Sequence, residues 1–202
     1  FLNSFTIQEG FRPDQVSQIL YNTPLHYWTF YLINDNIREQ GWPLIRNEFE
    51  TYIRKVFPNT TLTTRDADLV SKFKVGQTIT GNSSGATGKI IKRNIDLGQL
   101  IIEGTQNFLQ SGETISSTNS AGVVESMVVV SSSKEFQSAS HYVDGTGAIV
   151  DIDFRVGPGA LLTEKTHEDV YFAVNESLRD ITVIRPELIT TLSSGFKQAI
   201  RG

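Results

Sequence analysis

The sequence contains no cysteine, which excludes disulfides, thiolate nucleophiles and thiolate-bound metals. It also has no apolar run near the roughly 20 residues that a membrane-spanning helix requires. Lysine and arginine total 18 against 22 aspartate and glutamate residues, a formal net charge of −4. General binders of nucleic acid or of anionic membranes need a basic excess, so we expect neither partner.

The chain does have enough apolar material for a core. Of its 202 residues, 39% are hydrophobic and 20% are charged, a balance typical of folded domains rather than disordered ones. The length suits one medium domain or two small ones. Because the sequence begins with Phe1 rather than Met, we expect the natural N-terminus to lie upstream, and residues 1–10 do not resemble a targeting segment.

The most informative stretch is residues 12–42, which predicts two short helices back to back. Pro13 suits the first turn of a helix, and Pro24 starts a second helical pattern after Asn22 and Thr23. Asn34-Asp35-Asn36 is expected to end that pattern. The stretch is rich in aromatic residues, namely Tyr21, Tyr27, Trp28, Phe30 and Tyr31. They are too many for one side of a surface helix, so we expect packing on both sides.

Outside this stretch, hydrophobic spacing predicts helices and strands at both ends of the chain. The predicted helices are 44–57, 166–179 and 186–200, and the predicted strands are 5–7 and 181–184. A hairpin with Asp144 and Gly145 at its turn is predicted within 142–152. Threonine-rich residues 60–68 are interpreted as a connector with a domain boundary, and residues 131–133 as a linker.

Residues 72–130 are β-rich and carry an internal repeat. Gly76-Gln77-Thr78-Ile79-Thr80 recurs about 36 residues later as Gly112-Glu113-Thr114-Ile115-Ser116. Two copies are too few for a solenoid, so we predict a small closed or sandwiched β-domain. The glycine-rich residues 81–89 superficially resemble a phosphate loop. However, Ser83 stands where that loop needs glycine and Ile90 where it needs Ser or Thr, so a β-turn is predicted.

The histidines and acidic residues do not form a catalytic or metal-binding pattern. His26, His141 and His167 lie far apart, and none has a second histidine at metal-ligand spacing. Asp151 and Asp153 could hold a cation from one strand face, but a solvated strand face is favoured. We therefore expect no enzymatic activity, no cofactor, no metal and no small-molecule ligand.

Two groups of residues have open alternatives. Tyr27, Trp28, Tyr31 and Trp42 could be core, could form a protein interface, where Trp and Tyr are common, or could stack on sugar rings. Three residues apart on one helix face, Glu176 and Arg179 could form an exposed ion pair worth ~0.3–0.5 kcal/mol. They could instead be buried against the N-terminal helices and tie the chain's ends together.

These residues also resemble a known family. Arg12-Pro13-Asp14, Ile19-Leu20-Tyr21, Pro24-Leu25-His26-Tyr27-Trp28, Asn34-Asp35-Asn36 and Gly41-Trp42 resemble the baseplate wedge protein 53 family of contractile-tailed bacteriophages. Near the C-terminus, Val174-Asn175-Glu176-Ser177-Leu178-Arg179-Asp180-Ile181 resembles the family's asparagine-glutamate…arginine signature. The matches cover about a third of the chain, and the middle has no counterpart.

The resemblance implies an α+β fold with a LysM-like unit, in which two helices pack against a small sheet. We expect 1–68 to supply its N-terminal helical part and 72–130 to form an inserted β-rich repeat domain. Residues 134–202 are expected to supply a hairpin, helix, strand and helix that complete the first unit. Strand 181–184 needs a partner, and strand 5–7 is the candidate.

The resemblance also implies a structural role in the virion, at the tail baseplate, after synthesis in the host cytoplasm. Such a protein joins adjacent wedges around the hub by non-covalent contacts with other wedge proteins, including the helical wedge core and the sheath-initiating component. The alternative is a cell-wall glycan-binding module. Covered Trp28 and Trp42 favour the wedge, and exposed ones in a groove favour glycan.

An interface protein should expose apolar surface, and we expect it on the last helix. The interface and motif candidates are Arg12, Pro13, Tyr21, Pro24, Tyr27, Trp28, Asn34, Trp42, Asn175, Glu176, Arg179, Leu192 and Phe196. Leu192 and Phe196 share one stripe of that helix with Leu188 and Ile200.

Overall fold

A computed structural model describes residues 1–201 and contains both helices and sheets. The helices are α1 (Pro13–Tyr21), α2 (Trp28–Ile33), α3 (Asp35–Gln40), α4 (Arg46–Val56), α5 (His167–Ser177) and α6 (Pro186–Arg201). The strands are β1 (Leu2–Thr6), β2 (Thr60–Thr63), β3 (Thr78–Gly81), β4 (Thr87–Asn94), β5 (Gln99–Ile102), β6 (Glu113–Thr118), β7 (Val124–Val129), β8 (Ser131–Lys134), β9 (Ala139–Val143), β10 (Ile149–Val150), β11 (Thr163–Thr166) and β12 (Asp180–Ile184). The protein is therefore α+β, as the sequence predicts.

The chain divides into two compact units. The terminal unit contains Phe1–Glu50 and the residues from Phe172 onward, and the β unit contains Thr51–Tyr171. The division falls within α4 and α5. It differs from the predicted boundaries at 60–68 and 131–133, and it groups 134–171 with the β-rich middle rather than with the C-terminal segment.

Strands β2 and β8 correct the interpretation of these segments as connector and linker. β2 pairs with β5 on one side and with β8 on the other, and Leu62 lies in the core. Buried Thr60 is satisfied within the protein, since its Oγ1 donates to Gly104 O (3.0 Å) and accepts from Gln106 N–H (2.8 Å). The polar composition of β2 therefore did not make this strand exposed. The sheet extends beyond residues 72–130 because it includes β2 and β8.

In the terminal unit, the first and last strands of the chain form a two-stranded antiparallel sheet. Phe5 lies opposite Ile181, so the predicted pairing of the two ends is confirmed. Helix α2 packs against β12, and α1 contacts α6. The core combines residues from both ends, namely Ile7, Val16, Tyr21, Phe30, Ile37, Leu178, Ile181, Val183, Ile184 and Ile189.

The predicted second helix is broken into pieces. Pro24–His26 form a 3₁₀ turn before α2, and α3 follows where only a turn was expected. Asn34 separates α2 from α3 because its backbone is extended, with φ −123° and ψ 103°. Its side chain, described below, explains why the chain holds this break.

The β unit contains a seven-stranded sheet in the order β7-β6-β3-β4-β5-β2-β8 and a three-stranded sheet in the order β10-β9-β11. Only Val130 separates β7 from β8 in the chain, although they occupy opposite ends of the order, so the sheet must curl until its ends approach. Across this seam, Val130 N–H donates to Thr63 O (2.8 Å) and Thr64 Oγ1 to Val128 O (2.7 Å).

The internal repeat builds two adjacent hairpins in that sheet. Strands β3 and β6 pair antiparallel with Thr80 opposite Ser116, which is its equivalent in the second copy. A local two-fold through this pair therefore relates β3–β4 to β6–β7. The glycine-rich stretch is the turn between β3 and β4, as predicted, where Gly81 N–H donates to Ala86 O (2.8 Å).

Candidate protein-interaction surface

Two asparagines tie distant parts of the terminal unit by pairing with backbone. Asn34 Oδ1 accepts from Thr182 N–H and its Nδ2 donates to Thr182 O and Phe30 O, all at 2.8 Å. Asn175 Oδ1 accepts from Leu44 N–H (2.8 Å) and its Nδ2 donates to Leu44 O (3.1 Å). A carboxamide carries both a donor and an acceptor, so each side chain pairs with the backbone N–H and C=O of a single residue. Both asparagines belong to the family-like motifs.

Tyr21 provides a third tie between the two ends of the chain. Its hydroxyl donates to Ile184 O at 2.9 Å, and its ring stacks beside Phe30 at a centroid distance of 6.1 Å. Burial raises the pKa of Tyr21, so the hydroxyl stays a donor across the ordinary pH range. This tie places a family-like aromatic residue in the core.

Three other motif residues act locally at the starts of helical segments. Arg12 N–H donates to Gln15 Oε1 (2.9 Å), and the Arg12 guanidinium pairs with Asp14 at 2.7 Å on the surface. Pro13 is the first residue of α1, and Pro24 opens the 3₁₀ turn. These residues shape the helices and do not converge on a pocket.

Both tryptophans are partly covered by other parts of the terminal unit. Trp42 Nε1–H donates to Phe11 O at 2.7 Å, and its ring lies 5.9 Å from that of Tyr31. Trp28 stacks on Phe196 at 5.1 Å with an interplanar angle of 23°. One ring face of Trp28 is therefore occupied, whereas a sugar-stacking platform needs an open face.

Helix α6 exposes three of the four residues of the predicted apolar stripe, whereas the fourth, Leu188, is half-buried against the core of the terminal unit. Leu192, Phe196 and Ile200 are 42%, 39% and 68% exposed, while Ile189 and Ser193 form the buried side. The spacing of four residues places the three on one side of the helix. We call these three residues the α6 stripe.

The start of α2 extends this stripe. Trp28 stacks on Phe196, and its neighbour Tyr27 is exposed. Monomeric proteins rarely expose large contiguous apolar patches unless another molecule covers them. We call Tyr27 and Trp28 together with the α6 stripe the apolar surface.

Glu176 and Arg179 form an ion pair that is neither fully exposed nor fully buried against the N-terminal helices. Arg179 Nε lies 2.8 Å from Glu176 Oε1, with side chains 13% and 41% exposed respectively. This ion pair does not connect the segment to the N-terminal part. Two other contacts do so: the bonds of Asn175 to Leu44, and the bond from Ile7 N–H to Arg179 O (2.8 Å). A pocket of about 220 Å³ is lined by Glu9, Leu44, Arg46, Phe172, Asn175, Glu176 and Arg179.

Sequence candidates for metal or acid–base chemistry remain separate. Strand β10 ends at Val150, so Asp151 and Asp153 do not share a strand face, and Asp153 instead pairs with Arg155 at 2.8 Å. His167 stacks on a phenylalanine ring, and burial lowers its pKa. Within residues 1–201, no group of three or more histidines and acids could hold a metal. None of the described helices is both long and apolar enough to cross a membrane.

Sequence reasoning missed two buried carboxylates in the β unit. Glu113 accepts backbone N–H bonds from Ser84 (2.7 Å), Leu109 (2.7 Å) and Ser83 (3.2 Å). Burial alone would raise the pKa of Glu113, but these hydrogen bonds outweigh it and hold the pKa below its usual value. Glu125 is held similarly, by Phe73 N–H, Gln77 Nε2 and Asn119 Nδ2. For Glu113, the sequence did offer a signal: an acidic residue within the β-rich repeat, at the position where the first copy has Gln77.

Comparison with known proteins gives no family for this chain. No protein-family model matches it, and no curated protein matches it at a significant level. The motif resemblance and the geometry of the terminal unit are therefore what bears on function.

Proposed function

We propose that this protein is a structural component of a bacteriophage tail baseplate, related to the wedge protein 53 family. The observation that carries the proposal is that the family-like motifs at opposite ends of the sequence meet in one unit. Asn34 binds Thr182, and Asn175 binds Leu44. Residues selected for catalysis would converge on an open site, whereas these converge on backbone, as expected of a structural signature.

The terminal unit is then the LysM-like part of the protein. Helices α1 and α2 with the β1–β12 sheet supply the two helices and the small sheet of that arrangement. Thr51–Tyr171 lies in sequence between the two segments of this unit, which supports the β unit as an insertion into it.

The apolar surface is the part that joins neighbours. Covering exposed apolar area contributes roughly 25 cal/mol per Å², so several such side chains can hold a partner without bond chemistry. The partners are other wedge proteins, including the helical wedge core and the sheath-initiating component, and adjacent wedges around the hub. Tail contraction would shift these contacts as packed surfaces move past each other.

Incorporation into tails tests the proposal. In the phage that encodes the chain, we expect Leu192→Asp combined with Ile200→Asp to remove the protein from purified tails, because carboxylates would be desolvated in the contact. Leu161→Asp and Ile149→Asp change exposed apolar residues of the β unit and serve as matched controls. Normal incorporation of the double variant, with its helical circular dichroism retained, would contradict the proposed interface.

A pull-down on insoluble peptidoglycan tests the glycan alternative in parallel. We expect the wild-type protein to stay in the supernatant. Retention that is lost with Trp28→Ala or Trp42→Ala, together with normal assembly of the α6 variant, would replace the structural proposal with glycan binding.

A further inference from the structure

The outer edge of β1 has no strand partner among the described residues, and its geometry is defined by the bonds to β12. Ile7 N–H donates to Arg179 O (2.8 Å) at one end of the pair, and Arg185 N–H donates to Phe1 O (3.0 Å) at the other. Backbone groups alternate along an antiparallel strand. The N–H and C=O groups of residues 1, 3, 5 and 7 therefore face β12, and those of residues 2, 4 and 6 face away.

The opposite edge of this small sheet is closed by side chains. The outward-facing residues of β12 include Thr182, whose N–H and C=O both bind Asn34, and Ile184, whose C=O accepts from Tyr21. The terminal unit thus uses two side chains to satisfy one edge. On the β1 edge, no strand or side chain of the described chain takes that role for the backbone of Leu2, Ser4 and Thr6.

The open edge lacks the features that normally prevent strand addition. Proteins protect exposed edges with charges, prolines, bulges or covering segments. Residues 1–7 contain no charged side chain and no proline, and the pairing with β12 has no bulge. Phe1 and Leu2 are 81% and 51% exposed, so apolar rather than charged side chains lie at this end of the free edge.

We propose that β1 pairs antiparallel with β1 of a second copy of this chain, around a two-fold axis at Ser4. In this register Ser4 lies opposite Ser4 of the second copy, and Leu2 lies opposite Thr6. It is the antiparallel register in which all three outward-facing residues of both copies are paired. The strand carries no charge that would repel its own copy, and small Ser4 leaves room at the axis.

The expected complex is a weak, closed dimer. A five-residue strand pair is small compared with stable interfaces, so the association should depend on concentration. An isologous contact uses the same edge of both copies and cannot propagate into a filament. The edge lies outside the apolar surface, and the pairing does not depend on the proposed baseplate function.

Single cysteines test the register, since the chain has none of its own. Opposed residues of a hydrogen-bonded antiparallel pair have Cα atoms about 5.5 Å apart, within the roughly 4.4–6.8 Å that disulfides span. We expect Ser4→Cys to form a disulfide dimer under mild oxidation. Leu2→Cys and Thr6→Cys should not cross-link alone, because each is displaced from its own copy by about 13 Å along the strand in addition to the spacing between the strands, but a mixture of the two should cross-link.

The unmodified chain provides an independent measurement. Sedimentation velocity should show a monomer–dimer equilibrium, and the amides of Leu2, Ser4 and Thr6 should gain hydrogen-exchange protection as concentration rises. Ser4→Lys should abolish both, whereas Thr87→Lys on an exposed strand position of the β unit should change neither. Circular dichroism of each variant establishes that the fold is kept.

Three results would overturn the proposal. One is a monomer at millimolar concentration in which Ser4→Cys does not cross-link. Another is self-association that Ser4→Lys leaves unchanged, which would place the contact elsewhere. The last is equal cross-linking of all three cysteine variants, which would indicate random collision rather than a defined register.

Discussion

The terminal unit and the β unit satisfy buried backbone groups with different chemistry. Asn34 and Asn175 in the terminal unit are neutral and both donate and accept. Glu113 and Glu125 in the β unit are acids that only accept, and each gathers several N–H groups. A neutral amide tie is insensitive to pH, whereas a carboxylate tie exists only while the acid is ionised.

The two units also differ in the sequence distance that their ties span. Asn34 and Thr182 are 148 residues apart, and Asn175 and Leu44 are 131 apart. Glu113 and Ser84 are only 29 residues apart. Long-range contacts close large loops and form slowly, so the terminal unit should complete its structure only after both ends of the chain are present.

Core truncation should give the largest effects and shows whether each unit has its own core. Phe30 of the terminal unit and Phe73 of the β unit are both fully buried. Phe30→Ala and Phe73→Ala should each lower the free energy of unfolding by about 3–5 kcal/mol. Hydrogen exchange should show the first loss of protection in the unit that carries the change. Equal loss in both units from either variant would contradict separate cores.

Removing an amide tie should have a smaller effect that does not vary with pH. Asn34→Ala and Asn175→Ala each leave buried backbone groups unpaired, which should cost about 1–3 kcal/mol. Denaturant unfolding at pH 7 and at pH 4 measures this difference. Asn107→Ala is an exposed control expected to stay within about 0.5 kcal/mol. A tie whose contribution disappeared on acidification would break the comparison.

Glu113→Gln tests the charged ties of the β unit. At pH 7 we expect a loss of about 1–3 kcal/mol, because the new amide N–H meets another N–H donor. The folded pKa of Glu113 lies below the 4.5 that is usual for glutamate, so its stabilisation is complete above about pH 4.5 and is lost as the pH falls from there through the lower, folded pKa. The variant should therefore show a flatter decline of stability below about pH 4.5. Exposed Glu103→Gln should retain the wild-type decline.

The Glu176–Arg179 pair should contribute least. The side chain of Glu176 is 41% exposed and therefore reached by solvent, so Glu176→Gln should change the free energy of unfolding by less than about 1 kcal/mol, and less still at high salt. Thermal unfolding in low and high salt measures the effect. A larger, salt-independent loss would show that this pair, rather than Asn175, ties the ends together.

Local patterns predicted the elements of the terminal unit better than its ties. The pairing of strand 5–7 with strand 181–184 followed from apolar strands that each needed a partner. The local pattern at Asn34 indicates a helix terminator and the resemblance makes it a motif residue, but neither shows its bond to Thr182, because turn propensity describes local backbone alone. The same limit applies to Asn175, whose partner lies far away in the sequence.

In the β unit, polar composition led to two strands being predicted as connecting segments. The threonines of β2 and the serines of β8 looked like connectors, yet both strands complete the seven-stranded sheet. Hydroxyl side chains can be buried when the protein supplies their hydrogen bonds, as for Thr60. The burial of Glu113 was not predicted either. Its three N–H donors lie in loops that only the folded chain brings together.

A cryo-EM map of the assembled contractile tail tests the central claim most directly. The proposal predicts this chain at the baseplate, with Leu192, Phe196 and Ile200 covered by another wedge protein. A baseplate that lacks the chain, or that contains it with the α6 stripe facing solvent, would contradict the structural role assigned to this surface.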